Sequence, residues 1–408
     1  MTPLPGPLDA RVTDALEASP SPIPLIVGDC GSGRTSLLLR QSARIGAGLC
    51  QYIDLERVAT TPERFLRAVT GRSPFSVDRP VELRAPGSPR AAFDATVQFL
   101  QAAHTPDGRP ATFLLDEVLE VRTFENFPGL RMVLPELLAA LSDSPNRFVL
   151  TSRFAARTER LLHGAPPRIE LLRMPTFSVA DISRALGDAF GSPAADPDRE
   201  AARAIHALSA GHPGHAVALA AEVAAIARQG PPDPVAALAA LLSPGGRLDA
   251  SCRFSYELRL HRARGYGALK AILDVLAEEE PLTLTRVAQR LQRTPGSTKD
   301  YLSWLVDVDL IGVSRKRYRF TDPILRLWVR LHGRPTPPAD EDVAREVQRY
   351  AAERLTALPP EGAAPAPAAN HPVPEGAAPS APSSTTTAAR PPQPPARPDS
   401  HADIIEFD

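Results

Sequence analysis

The residues best suited to chemistry are Gly28-Asp29-Cys30-Gly31-Ser32-Gly33-Arg34-Thr35-Ser36. Gly28 and Gly33 are spaced as in G-x-x-x-x-G-K-[ST], a loop whose backbone N–H groups cradle phosphate. Glycine suits such a loop because no Cβ blocks the approach of the ligand. The apolar run Ile23–Val27 precedes the loop and Leu37-Leu38-Leu39 follows it. That order predicts strand, loop and helix, with the helix N-terminus adding positive potential. Thr35 is placed to put its hydroxyl on a magnesium ion. Arg34 stands where the pattern has lysine. A guanidinium is planar, larger and always charged, so it neutralises phosphate without occupying the same space between β- and γ-phosphates. A glycine-rich turn that binds nothing would contain the same residues.

The second cluster is Ala111-Thr112-Phe113-Leu114-Leu115-Asp116-Glu117. A continuous apolar run ending in two acids reads as a buried parallel strand with its carboxyl end at the sheet's rim, where ligands bind in doubly wound sheets. Asp116 would hold magnesium and Glu117 would orient and polarise the attacking water. Acids that favour a helix N-terminus are the alternative. The order and separation from the glycine loop are those that nucleotide hydrolysis requires. A third run, Arg147-Phe148-Val149-Leu150-Thr151-Ser152-Arg153, is another apolar strand with a polar end. Thr151 or Ser152 would sense a γ-phosphate by a hydrogen bond and Arg153 by charge. An ordinary polar strand end is the other reading.

The elements that must position these residues alternate strand and helix. Helix is expected over Asp9–Glu17, from the loop to about Ile45, over Pro62–Val69, over Ala91–Ala103, and through Leu130–Leu141. Strands are expected at 23–27, 50–55, 111–117, 147–153 and 168–172, with Met174-Pro175 closing the sheet. Residues 71–90 carry four prolines and two glycines and read as a loop. This is an α/β pattern with a mainly parallel, doubly wound sheet.

From Ser178 to about Ser243 the pattern is helical and Ala-rich, broken at Gly211-His212-Pro213-Gly214. His212 and His215 lie three apart with no third ligand near, which argues against a metal site. Over 266–330 the order is helix (Ala268–Leu276), helix (Thr285–Leu291), a turn at Thr294-Pro295-Gly296, and a helix capped by Ser297 or Thr298 and running through Val306. Two wing strands follow, Ile311–Val313 and Arg317–Phe320. That reads as a winged helix-turn-helix. Residues 281–330 hold ten Lys/Arg and four Asp, a local net of +6. Lys299, Arg315, Lys316, Arg317 and Arg319 are the candidate contacts to duplex DNA. The helix between Ser297 and Val306 offers few base-reading groups, so a fold used for protein contacts or as a lid stands beside DNA binding. Asp340–Leu355 reads as a charged amphipathic helix.

The chain has 408 residues, 43% hydrophobic, with net charge −1, so it is no electrostatic magnet for nucleic acid as a whole. Three cysteines without metal-type spacing (Cys30, Cys50, Cys252) fit a reducing interior. The amino-terminal residues carry no signal-peptide pattern, and no apolar run approaches membrane length, so a cytoplasmic protein is expected. Beyond Leu358 the chain is rich in Pro, Ala, Ser and Thr and is expected to be a disordered tail. It ends in His401-Ala402-Asp403-Ile404-Ile405-Glu406-Phe407-Asp408, either a plain end or a peptide that docks a protein partner through Ile404, Ile405 and Phe407. The expected domains are a core at 1–176, a helical lid at 177–264, the winged module at 265–335, the amphipathic helix at 336–358 and the tail at 359–408.

Residues 20–332 resemble P-loop ATPases of the AAA+/STAND group, in particular the prokaryotic type with a winged helix after the lid. The residues that carry this are Gly28–Ser36, Phe113–Glu117, Val149–Arg153, Gly211-His212-Pro213 and the stretch from Tyr318 to Trp328. The resemblance implies ATP and Mg2+ as ligands, with the loop, Ser152, Arg153 and Pro213 around the nucleotide and Thr35 and Asp116 on the metal. Pro213 would lie near the base, and Glu117 and Arg34 would act in catalysis. It also implies a nucleotide-dependent switch in signalling or regulation, with slow hydrolysis and a nucleotide-dependent oligomer. A DNA-binding regulator with ATP as a structural ligand, and a scaffold with a degenerate nucleotide site, are the alternatives. The family's adenine-side motif is only faintly echoed at Pro5–Leu16. Arg153, Arg157 and Arg160 are undiscriminated candidates for an arginine finger.

Overall fold

The long apolar runs become interior strands. The computed structural model describes residues 6–78, 87–190, 196–261, 263, 265–333 and 336–356. In chain order the first part runs α1 (Pro7–Glu17), β1 (Ile23–Val27), α2 (Arg34–Ile45), β2 (Cys50–Asp54), α3 (Leu55–Val58), α4 (Pro62–Thr70) and α5 (Pro89–Ala102). It continues with β3 (Thr112–Asp116), a 3-10 helix (Val118–Asn126), α6 (Val133–Asp143), β4 (Arg147–Ser152), α7 (Ala155–Leu161) and β5 (Ile169–Arg173). All neighbouring strands are parallel, in the order β2-β3-β4-β1-β5. The chain leaves β1 for the far edge at β2, returns through β3 to β4 beside β1, and ends at β5 on its other side. The order reverses at β1, which makes the crevice at the carboxyl end of that strand the natural ligand seat.

Alternate residues of each strand serve opposite faces. Leu25, Val27, Phe113, Leu115, Phe148 and Leu150 join one apolar layer with Phe65, Phe93 and Leu137. Ile26, Leu114 and Val149 join the other with Leu37, Leu38 and Val12. The register sets Val27 against Ser152 and Leu115 against Leu150, so β1, β3 and β4 present their polar ends at one rim. Helix α5 starts at Pro89 rather than Ala91, because Ser88 Oγ accepts the N–H of Ala91 at 3.2 Å and caps it. Helices α3 and α7 lie where the sequence reading placed none; each is shorter than eight residues, below the length at which apolar periodicity is readable.

The second part holds α8 (Val179–Phe190), α9 (Asp196–Ser209), α10 (Pro213–Ile226), α11 (Pro234–Leu242) and α12 (Arg247–Leu260). Then come α13 (Tyr266–Glu278), β6 (Leu282–Thr283), α14 (Leu284–Arg290), α15 (Pro295–Asp307), β7 (Ile311–Ser314), β8 (Arg317–Phe320), α16 (Pro323–His332) and α17 (Asp340–Thr356). The two expected wing strands gain a third partner: β6 pairs antiparallel with β8, giving the order β6-β8-β7. The cap of α15 is Thr294, not Ser297 or Thr298. Its Oγ1 accepts the N–H of Ser297, and Pro295 takes the first helical position, where a missing N–H costs nothing. One apolar cluster runs through all of these helices, from Ile182 and Leu219 through Ile272 and Leu302 to Trp328 and Val347. Polar ties reinforce it: Trp328 Nε1 donates to Asp249 Oδ1 at 2.8 Å and the Tyr350 hydroxyl to Leu208 O at 2.6 Å. The expected tail at 359–408, with its tip at 401–408, lies outside the described residues. No described helix is long and apolar enough to cross a membrane.

Asn146 pins the strand starts at the end of the sheet opposite Asp116 and Ser152. Its buried side chain accepts the Ala111 N–H at 2.8 Å and donates to Leu100 O and Ala103 O at 2.9 and 2.8 Å. Asn146→Ala strands several buried backbone groups and is expected to cost about 2–4 kcal/mol. Chemical denaturation checks it, and a loss below about 1 kcal/mol would mean water or backbone adjustment replaces the side chain.

Candidate functional site

The glycine loop joins β1 to α2 at the rim. Gly33, the N-cap of α2, has φ 96°, a conformation that glycine adopts without strain, and no side chain caps the helix. Met174 N–H donates to Val27 O at 2.8 Å, so the residue after β5 holds the strand end that launches the loop. Ser32 is 5% exposed and its hydroxyl has no hydrogen-bond partner; neither has Nε of Arg34, which is 7% exposed. Buried polar atoms are normally paired, so these two are fit for an anion seated in the loop.

Facing the loop are the acids that end β3. Asp116 Oδ2 accepts from Thr35 Oγ1 at 2.7 Å and from the Tyr52 hydroxyl at 2.9 Å, and Oδ1 accepts from Thr151 Oγ1. Burial, and then the Asp116 carboxylate, hold the Tyr52 phenol far above its usual range, so it stays a donor. Glu117 sits in the left-handed region at φ 60°, ψ 56°, which is costly for a residue with a Cβ. Contacts hold it there. Its N–H donates to Thr151 Oγ1 at 2.9 Å, Oε1 takes Arg34 Nη1 at 2.7 Å, and Oε2 accepts the Arg153 N–H at 3.1 Å. Arg153 Nε lies 3.1 Å from the same Oε2, and its other nitrogens pair with Glu56. Burial would lower the Arg153 guanidinium, but Glu117 and Glu56 outweigh it and hold it above its usual range.

The helical part closes on the loop from the other side. A Cβ on Gly214 would lie 2.8 Å from Gly31 O, so only glycine lets α10 approach the loop backbone this closely. Pro213 is buried at the first position of α10, and His212 caps that helix with Nδ1 taking the His215 N–H at 3.4 Å. His212 and His215 rings stand 4.1 Å apart, and His215 Nε2 is 3.5 Å from Asp322 Oδ2. Burial pushes the His215 imidazole down to about 4 against the pull of Asp322. On α12, the buried Arg259 donates to Asp29 Oδ1 of the loop at 3.3 Å and to Ser255 Oγ at 2.7 Å. Beyond Arg153 and Arg259 lies a cavity of about 550 Å³ walled by Glu56, Phe154, Arg157 and Trp304, among others. There α7, which continues from β4, meets α15. Asp309 Oδ1 accepts the Ala156 N–H at 3.1 Å, and Arg160 Nη2 pairs with Asp307 Oδ2 at 2.6 Å.

The loop residues, Asp116, Glu117, Thr151 and Arg153 thus meet at one rim. Ser152 does not turn its hydroxyl there: Oγ accepts from Thr158 Oγ1 at 2.8 Å and from the Phe154 N–H at 3.3 Å, and only its carbonyl meets the loop, at Gly28 N. Arg157 stacks over the Phe154 ring at 4.9 Å, and Arg160 is taken by Asp307. Lys299, Arg315, Lys316, Arg317 and Arg319 are exposed on α15 and the β7–β8 hairpin. Sequence reading missed Tyr52, Glu56, Arg259 and Asp309. Arg259 meets Asp29 from 230 residues away, and only the fold joins them. Tyr52 was findable, because it lies two residues before the end of β2, which is the edge neighbour of β3.

No protein-family model matches the chain, and no curated protein matches it. Among solved structures the chain is similar to the Walker-type ATPase of Pyrococcus abyssi, with a TM-score of 0.57, 17% identity, and coverage of 79% of this chain and 95% of that one. The fold is that of a P-loop ATPase. Weaker likenesses are to the Aeropyrum pernix ORC1 protein in complex with DNA (TM-score 0.41, 18% identity, 85% and 92% covered) and to the Thermotoga maritima RuvB Holliday junction branch migration motor (0.39, 14%, 77% and 91%). At those scores they add nothing to the fold assignment.

Burial raises the Asp309 carboxyl from 3.8 to about 6, with Asp29 adding to the rise and the Ala156 N–H and Arg259 opposing it. The folded chain therefore holds this proton more tightly than the unfolded chain. The stability Asp309 contributes is full below pH 4 and is lost as pH rises from about 4 to about 6. Asp309→Asn keeps an acceptor for Ala156 without the charge. It is expected to be roughly 1–2 kcal/mol more stable than the parent at pH 7 and flatter between pH 4 and 6. Denaturant melts at pH 4.5 and 7 check this, and an asparagine variant less stable at both values would rule it out.

Proposed function

We propose that the chain is an ATP-binding molecular switch in which slow, magnesium-dependent hydrolysis resets a winged-helix module. The observation that carries this reading is the convergence on one loop of Thr35 with Asp116 and of Arg34 with Glu117. In this reading the amides of Gly28–Ser36 and the uncapped start of α2 bind the phosphates. Pro213 flanks the base, and Thr35 and Asp116 would hold magnesium, which neutralises phosphate charge when bound. Arg153 senses the terminal phosphate, and Ser152 shapes the loop through its carbonyl. Glu117 orients the attacking water. For that it must first release Arg34, and this release is the physical source of slow turnover.

The coupling follows from the same contacts. Residues 1–176 act as the core, 177–264 as the lid, 265–335 as a winged helix-turn-helix and 336–358 as an amphipathic brace. Gly214 against Gly31 and Arg259 against Asp29 report loop movement to the lid. The strand end carrying Arg153 continues into α7, whose start is held by Asp309 of the module. A nucleotide that shifts Arg153 thereby biases the docking of α15. Assembly into nucleotide-dependent oligomers belongs to the same proposal.

A second reading is DNA binding by the module, and one observation favours it. Arg315 and Lys316 form the two-residue wing tip with φ 49° and 62°, left-handed positions usually given to Asn-Gly. Strained, exposed cations at a hairpin tip suit a phosphate backbone.

Two outcomes test these readings. Glu117→Gln is expected to bind ATP with magnesium in calorimetry yet turn over at least about 100-fold more slowly than the parent, the scale typical of losing a catalytic acid–base group; parental turnover would remove Glu117 from catalysis. Changing Arg315, Lys316 and Arg317 together to Ala is expected to weaken duplex binding and lower the salt slope by about 2–3. A parent that shows no shift with duplex at low salt would dismiss the second reading.

A further inference from the structure

We infer that Arg34 makes this site selective for nucleoside diphosphate over triphosphate. The inference rests on the nucleotide reading above and names the ligand that the same site prefers. In a glycine-loop site the amides and the helix start receive the β-phosphate, and a third phosphate extends toward the acids at the rim. Here the two zones are differently prepared. Around the loop, Ser32 Oγ and Arg34 Nε are buried without partners, and α2 is uncapped. On the acid side the carboxylates are already engaged by the chain itself, and Arg153 Nε, though without a hydrogen-bond partner, lies 3.1 Å from Glu117 Oε2. Arg34 Nη1 is on Glu117 Oε1 at 2.7 Å, Arg153 is on Oε2, and Asp116 takes the hydroxyls of Thr35, Tyr52 and Thr151.

The Arg34–Glu117 pair joins the loop to the acid that ends β3, with the two side chains only 7% and 9% exposed, so a γ-phosphate extending from the loop toward that acid would meet it. A diphosphate leaves the pair whole. A triphosphate brings further negative charge beside Glu117. If Arg34 turns to the phosphate, Glu117 keeps Arg153 but loses its other cation; if Arg34 stays, the phosphate faces two carboxylates. Either way the triphosphate forfeits a buried interaction that the diphosphate keeps. A lysine at 34 would present one compact charge on a flexible stem instead of a planar fork fixed on the glutamate. Arg34 is therefore the specificity-determining residue.

The test is equilibrium calorimetry on the full chain in magnesium, comparing ADP with a non-hydrolysable ATP analogue for the parent, Arg34→Lys and Glu117→Gln. The parent is expected to bind ADP at least about tenfold more tightly, and both variants to narrow that ratio to about threefold or less. A parent that binds the triphosphate analogue as tightly as ADP overturns the inference and leaves the nucleotide reading standing. Binding of neither overturns both. A tenfold ratio that survives in both folded variants overturns the assignment to the Arg34–Glu117 pair. Thermal melts establish folding, and the parental ratio decides the preference even where a variant does not fold.

Discussion

Arg34 and Glu117 are 83 residues apart and meet at 2.7 Å with almost no exposure to water. Glu117 is held by Arg153 as well as by Arg34, whereas Arg34 has Glu117 and a buried Nε without a partner. Removing one member of a buried pair typically costs about 3–5 kcal/mol, since the survivor is left charged and dry. Satisfying the pair fixes the surrounding architecture. Strand β4 must lie between β1 and β3 so that Thr151 and Arg153 can reach Glu117 from the adjacent strand end. Edge strand β2 must bring Tyr52 to Asp116, and Glu56 just beyond it to Arg153. The left-handed backbone at Glu117 is one more cost that this arrangement meets.

The readable part of this site was the part written in contiguous residues. Gly28–Ser36 follows directly on β1, and Phe113–Glu117 and Val149–Arg153 are each a strand with its polar end, so their period and punctuation give both the element and where it stops. The parallel sheet followed from the same runs. Strand order was not legible, because nothing local says that β2 goes to the far edge. The direction of the Ser152 hydroxyl was not legible for a related reason. Ser152 is adjacent to Arg153, but successive residues of a strand alternate direction, and its hydroxyl serves the start of α7 instead.

The helical half was legible in kind and not in detail. Proline and hydroxyl residues bracket its helices as expected, yet α15 is capped by Thr294, ahead of both residues read as caps, because Pro295 settles the first helical position. The two-residue β6 is invisible to periodicity and exists only because β8 offers an edge. Arg259, Asp309 and Asp322 are polar residues in helical or loop patterns that would ordinarily face solvent. Their burial is dictated by partners hundreds of residues away or on another layer, and no window on the sequence contains both sides.

The apolar cluster that threads α8 through α17 has a mechanical consequence. Helices that share one densely packed interior cannot slide past each other without opening voids, so this half of the molecule is packed as a single block. The chain enters it through the short span from Met174 to Ser178, which links the last sheet strand to the first helix. Loosening any one of these helices therefore disturbs the packing of its neighbours along the whole cluster.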